Sequence, residues 1–167
     1  MTKSGILLAL CIMVLAACTQ QRSPCLTPKT ATLNVETIHM ATDSSLVPVD
    51  TALPGAIFVA LTQNGADSFQ YTQQSSQFVL SLAPVTNVCQ WAFTTDSMKY
   101  HNLFDTLTFY YQRNLQFLSN ACGYTYFYSI DSVRTTHNNV DSLLLTNTAV
   151  TNNVATKHLR LYIHTQY

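Results

Sequence analysis

The chain has 167 residues, eight of them basic and eight acidic, for a formal net charge of zero at pH 7. Charge this sparse, 10% of residues with no run of either sign, excludes the basic patch that a nucleic-acid-binding domain needs. A hydrophobic fraction of 47% excludes intrinsic disorder.

Lys3 opens the chain with a positive charge, and the run from Gly5 to Ala17 is apolar throughout. That run is shorter than the roughly 20 residues a permanent bilayer span requires, so it reads as a signal peptide. Its end, Leu15-Ala16-Ala17-Cys18, resembles the lipobox read by lipoprotein signal peptidase. The resemblance implies cleavage before Cys18, a thioether-linked diacylglycerol on its sulfur and a third acyl chain on the freed amine. Two or more chains anchor a protein stably where one does so only marginally. The organisation expected is a signal peptide over 1–17, a lipidated tether over 18–29 with Pro24 and Pro28, and one domain over 30–167. About 150 mature residues suffice for one domain with a core and are too few for two.

Strand patterns follow the tether in sequence, with a period of two rather than 3.6. Ala31, Leu33 and Val35 alternate with Thr32, Asn34 and Glu36. Pro54-Gly55 introduces the strand Ile57 to Leu61, and Asn64-Gly65 then predicts a hairpin turn into Asp67 to Tyr71. Phe78, Leu80 and Leu82 alternate with Val79 and Ser81, and Leu107, Phe109 and Tyr111 alternate with Thr108 and Tyr110. Met98 to Phe104 reads as one helical turn. Gly123, His137-Asn138-Asn139 and Thr151-Asn152-Asn153 mark loops, and Leu159, Leu161 and Ile163 give the last strand one dry face. Many short strands without a long amphipathic helix predict an all-β, single-domain antiparallel β-sandwich, immunoglobulin-like in outline.

Cys11 leaves with the signal and Cys18 is acylated, which leaves Cys25, Cys89 and Cys122. Alternation puts Cys89 on the face of Trp91 and Phe93, where a thiol behaves as a small hydrophobe. The oxidising envelope then pairs Cys25 with Cys122 across almost a hundred residues, a closure that chain entropy values at about 4.7 kcal/mol.

Catalytic signals are weak. All seven aspartates precede Ser or Thr, a pattern of turns and strand beginnings, where these side chains bond nearby backbone. Glu36 stands on the polar face of the first strand without an evident partner. His39, His101, His137, His158 and His164 lack metal-ligand spacing and read as exposed strand or loop residues. No cofactor motif, metal site or nucleophile elbow is present in the sequence. An enzyme would require two aspartates, or His101 and an aspartate, to converge in one cleft. Tyr110, Tyr124, Tyr126 and Tyr128, with Asn and Gln nearby, form a candidate sheet face for stacking on sugar rings or on a partner protein.

The lipobox, Cys25, Asp105-Thr106-Leu107-Thr108-Phe109-Tyr110-Tyr111, the Asn120-Ala121-Cys122-Gly123-Tyr124 turn and the ending Lys157 to Ile163 together resemble an uncharacterised family of small lipoproteins from Bacteroidota envelopes. The resemblance is consistent with the Cys25 to Cys122 pairing and brings no activity or catalytic residue. It implies an outer-membrane lipoprotein facing the periplasm, since Thr19-Gln20-Gln21 lacks the acidic cluster of a surface-export signal. The expected role is therefore a non-enzymatic structural or interaction component, bound to membrane lipid through Cys18 and to an envelope protein, without cofactor or nucleic acid. The alternative is a module that binds a polysaccharide through the four tyrosines.

Overall fold

The computed structural model describes residues 24–40, 48–50, 52–53, 55–61, 76–96 and 103–163, with residues 40 and 48–50 described by backbone alone. Ten strands lie among them: β1 (Leu33–Met40), β2 (Pro48–Asp50), β3 (Ile57–Leu61), β4 (Gln77–Leu80), β5 (Val88–Thr94), β6 (Asp105–Ser119), β7 (Gly123–Thr135), β8 (Val140–Leu145), β9 (Ala149–Val150) and β10 (Leu159–Ile163). No described residue is helical. The strands form two five-stranded sheets packed as a sandwich, so the expected all-β fold holds.

The first sheet runs β2-β1-β10-β8, and β4 also pairs with β1. Its centre is β1, whose Leu33 and Val35 point into the core and whose register sets Val35 against Leu159 and Glu36 against Arg160 of β10. That pair is parallel, whereas the other pairings between the described strands are antiparallel; an isolated bridge between Gly55 and Asp96 is parallel as well. It joins two strands from opposite ends of the domain, so the sheet closes only when nearly the whole chain is in place. The other edge of β1 is shared, with β4 along Leu33 to Glu36 and β2 along Ile38 to Met40.

The second sheet runs β3-β5-β6-β7-β9. Phe58 of β3 joins the two layers: its ring lies 4.5 Å from Phe93 of β5 and 4.8 Å from Phe78 of β4, in the opposite sheet. Trp91, Leu107, Phe109, Tyr111 and Ile130 complete this side of the core. Burying such side chains contributes about 1.5–3 kcal/mol each, which is what sets the period-two pattern.

The longest feature is the β6–β7 hairpin, of 15 and 13 residues. Its turn is closed by Gly123 at φ 73°, a left-handed conformation that suits glycine, and by the Ser119 hydroxyl accepting from the Cys122 N–H at 3.0 Å. A bulge between Tyr110 and Tyr111 leaves Asp131 of β7 unopposed.

The predicted strands at 57–61, 107–111 and 159–163 lie inside β3, β6 and β10, and the loops at 137–139 and 151–153 are loops. Two expectations, the Asn64-Gly65 hairpin with its strand at 67–71 and the helical turn from Met98, lie outside the described residues, apart from Leu103 and Phe104, which are irregular. The uniform turn reading of the aspartates needs correction. Asp105 does begin β6, but Asp131 stands at the bulge within β7 and Asp141 within β8, because a bulge or an exposed strand face accommodates an aspartate as well as a turn does.

Candidate functional site

The hairpin β6–β7 outgrows the sandwich. On one face of β6 the sequence Leu107, Phe109, Tyr111 is buried, and the same alternation continues through Arg113, Leu115 and Phe117 into solvent. Phe109 is 0% exposed and Phe117 is 53% exposed, because the opposing sheet ends between them. Across the register Leu115 faces Tyr126 and Phe117 faces Tyr124, with the Phe117 and Tyr124 rings 5.2 Å apart. The result is a projecting two-stranded finger with one apolar, aromatic face.

A disulfide between Cys25 and Cys122, with Cα atoms 4.8 Å apart, fastens the fingertip to the segment that precedes the domain. That segment continues along β7: the Thr125 hydroxyl donates to the Lys29 carbonyl, and the Asn152 side chain donates to the Pro28 carbonyl at 3.1 Å. Leu26, beside Cys25, is exposed. Cys89 is the free thiol, as its alternation predicts, and is half-buried against the core. Burial pushes its pKa up, so it is a poor nucleophile.

The four tyrosines do not form one surface, which corrects the expectation from sequence. Tyr128 faces inward and is buried, edge-on to Tyr111 at 5.4 Å. Its hydroxyl donates to the Leu82 carbonyl at 3.4 Å, and that of Tyr111 donates to the Ala83 carbonyl at 3.0 Å. Together they hold the crossover 81–87 between the sheets, and burial raises both phenols, Tyr111 to about 12. Tyr110 pairs with Val88 and Ser132 on the opposite face of the sheet, under the Arg134 guanidinium at 5.6 Å. Alternation along β6 explains Tyr110, which lies between the inward-facing Phe109 and Tyr111. Tyr124, Tyr126 and Tyr128 share one face of β7 and differ in that the crossover 81–87 covers Tyr128. Only Tyr124 and Tyr126 remain on the exposed finger. At its root a cleft of about 290 Å³ is lined by Lys29, Thr30, Ser81, Pro84, Thr125 and Tyr126, among others.

The family model of a family of unknown function, DUF6452, matches residues 57–163. The chain belongs to DUF6452. The match runs from the start of β3 to the end of β10, so in this DUF6452 protein the finger lies inside the family domain and Cys25 lies before it. No significant match was found among curated proteins or solved structures.

Three buried ionisable groups in this DUF6452 protein were not legible as such. Glu36 is 2% exposed, not on a wet face, and it does have partners: Lys157 ion-pairs with its Oε1 and the Arg160 Nε donates to its Oε2 at 3.0 Å. The loop that carries Val154 and Thr156, whose carbonyls accept from the Asn34 side chain, folds over this face and removes it from water. Burial raises the Glu36 carboxyl, but hydrogen bonds and charge from Lys157 and Arg160 outweigh it and leave the pKa below its ordinary value.

Asp105 is wholly buried and accepts the N–H groups of Asn138, Asn139 and Val140 at 2.7, 2.6 and 3.0 Å, and the Thr136 hydroxyl at 2.9 Å. It thereby shapes the turn from β7 into β8. His158 is 0% exposed, which overturns its reading as an exposed residue; its ring is sandwiched between the sheets because both nitrogens find backbone partners there. His137 is exposed as expected. His101 and His164 lie outside the described residues. Among the described residues, no group of His, Cys, Asp and Glu is placed to hold a metal ion.

The sequence contained one unused signal for the finger. From Asn114 to Ile130 it carries no Asp, Glu, Lys or Arg while apolar alternation continues, a stretch longer than a sandwich core of this size can cover.

Proposed function

We propose that this protein is a lipid-anchored component of the bacterial cell envelope, of the small Bacteroidota lipoprotein type, acylated at Cys18 and acting by binding rather than catalysis. Its place is the outer membrane, with the domain facing the periplasm, and its partner is an envelope protein. The observation that carries this reading is the Cys25 to Cys122 bond: the segment leading from the anchor is joined covalently to the longest hairpin of the domain. A bond of that kind fixes the domain's position relative to its anchor, as a structural or docking component requires. The buried polar groups support a non-enzymatic role, since Glu36, Asp105 and His158 each spend their hydrogen-bonding capacity on the fold. Crosslinking in intact cells followed by affinity purification of the full chain tests it. Reproducible capture of one envelope protein is expected, and recovery of none contradicts the reading.

The cleft at the root of the finger favours a second reading, binding of a polysaccharide. Lys29, Thr30, Ser81 and Thr125 supply polar groups and Tyr126 a partly open ring. Calorimetry with envelope and dietary polysaccharides, repeated with Tyr126→Ala, tests this; no heat with any glycan removes it.

A further inference from the structure

We infer that the apolar face of the β6–β7 finger, with Leu26, rests in the interface of the same bilayer that holds the acyl chains of Cys18. The inference rests on the acylation of Cys18 proposed above and deepens it by assigning the anchor a second contact.

Distance supports it first. Cys18 is seven residues from Cys25, so the fingertip bonded to Cys25 lies at most about 25 Å of extended chain from the lipidated residue. A finger anywhere else on the domain would be free to face away, whereas this one is held near the membrane by a covalent bond.

Composition points to lipid as the occupant. Leu115, Phe117, Tyr124 and Tyr126 expose one apolar face, and Leu26 is 88% exposed beside Cys25. No charged side chain occurs between Asn114 and Ile130, so nothing on the finger opposes entry into the headgroup region. Tyrosine suits that depth, with an apolar ring and a hydroxyl that stays wet. Lys29 in the leading segment and Arg113 at the base of the finger place cations where anionic headgroups begin. The backbone at the tip is served by the turn and by hairpin pairing, so shallow burial leaves few polar groups unmet.

The test places tryptophan reporters in the full chain, purified from membranes and reconstituted into phosphatidylethanolamine and phosphatidylglycerol vesicles doped with brominated phosphatidylcholine. Phe117→Trp and Leu26→Trp report on the finger and its neighbour. Leu144→Trp, on an exposed position of β8 in the other sheet, is the control, and the signal of buried Trp91 is subtracted with the unsubstituted chain. Intact mass reads the acyl state of Cys18 separately.

Blue-shifted emission at positions 117 and 26, quenched several-fold more than at 144, is the expected result. Absence of quenching at 117 in a chain shown to be acylated overturns the membrane contact and leaves the anchor standing. A blue shift at 117 without quenching assigns the face to a protein or a second copy and also overturns it, as does equal quenching at all three positions. A chain without acyl groups on Cys18 removes the anchor, and the inference with it.

Discussion

Asn34 and His158 are joined twice: the Asn34 N–H donates to the ring Nδ1 at 3.0 Å, and the His158 N–H donates to the Asn34 carbonyl at 3.0 Å. The ring Nε2 lies 3.2 Å from the Ala149 carbonyl, to which it donates as the neutral tautomer. One imidazole therefore ties β1 of the first sheet to β9 of the second, and only its neutral form can accept from Asn34.

The first prediction concerns acid. Burial lowers the pKa of His158, and the bond to Ala149 only partly offsets it. The unfolded chain then takes up the proton first, so stability is full well above about 6.5 and falls as pH drops below that value, until the folded ring also protonates. Urea midpoints for the unsubstituted chain should fall between neutral pH and mildly acidic pH, and His158→Gln should be less stable at neutral pH with a smaller acid-dependent decline. An identical decline in both would assign it to other groups.

Glu36 acts lower on the pH scale. Because its folded pKa lies below the ordinary value, its contribution is present above about pH 4.5 and is lost as pH falls through the folded value. Glu36→Gln should cost about 1–3 kcal/mol at neutral pH, the range for hydrogen bonds to a charged group, with Lys157 and Arg160 turning to solvent. Denaturation of this variant should converge with that of the unsubstituted chain at strongly acidic pH.

At Asp105 the expected loss is larger. Asp105→Ala orphans the N–H groups of Asn138, Asn139 and Val140, two of them fully buried, and should cost about 3 kcal/mol or more. Asp105→Asn, with one acceptor oxygen in place of two, should fall between. Hydrogen exchange at Asn139 and Val140 would report the loss directly, and unchanged protection there would refute the role.

Removing the Cys25 to Cys122 bond should lower stability by about 2–5 kcal/mol, the usual range for a native disulfide closing a long loop. Cys25→Ser and Cys122→Ser should lose equal amounts, and Cys89→Ser should leave the dependence on reductant unchanged. Urea melts with and without dithiothreitol provide the comparison.

The sandwich was legible because its strands bury one face each: Leu33 and Val35, Leu107 and Phe109, Leu159 and Leu161 announce themselves by alternation. The disulfide was legible by elimination once Cys89 fell on the face of Trp91. Glu36 and His158 were not, because their burial comes from a loop and a second sheet distant in sequence, which local period cannot report. The tyrosine surface failed for two reasons: Tyr110 alternates with Phe109 and Tyr111 and so faces the other way, and Tyr128 is covered by the crossover 81–87, a contact distant in sequence that local period does not report.

The most direct test of the account is the intact mass of the mature protein extracted from bacterial membranes. The account predicts a chain that begins at Cys18, with a diacylglyceryl group on the sulfur and an acyl group on the amine. A chain that retains its first seventeen residues, or that begins elsewhere without lipid, would contradict it.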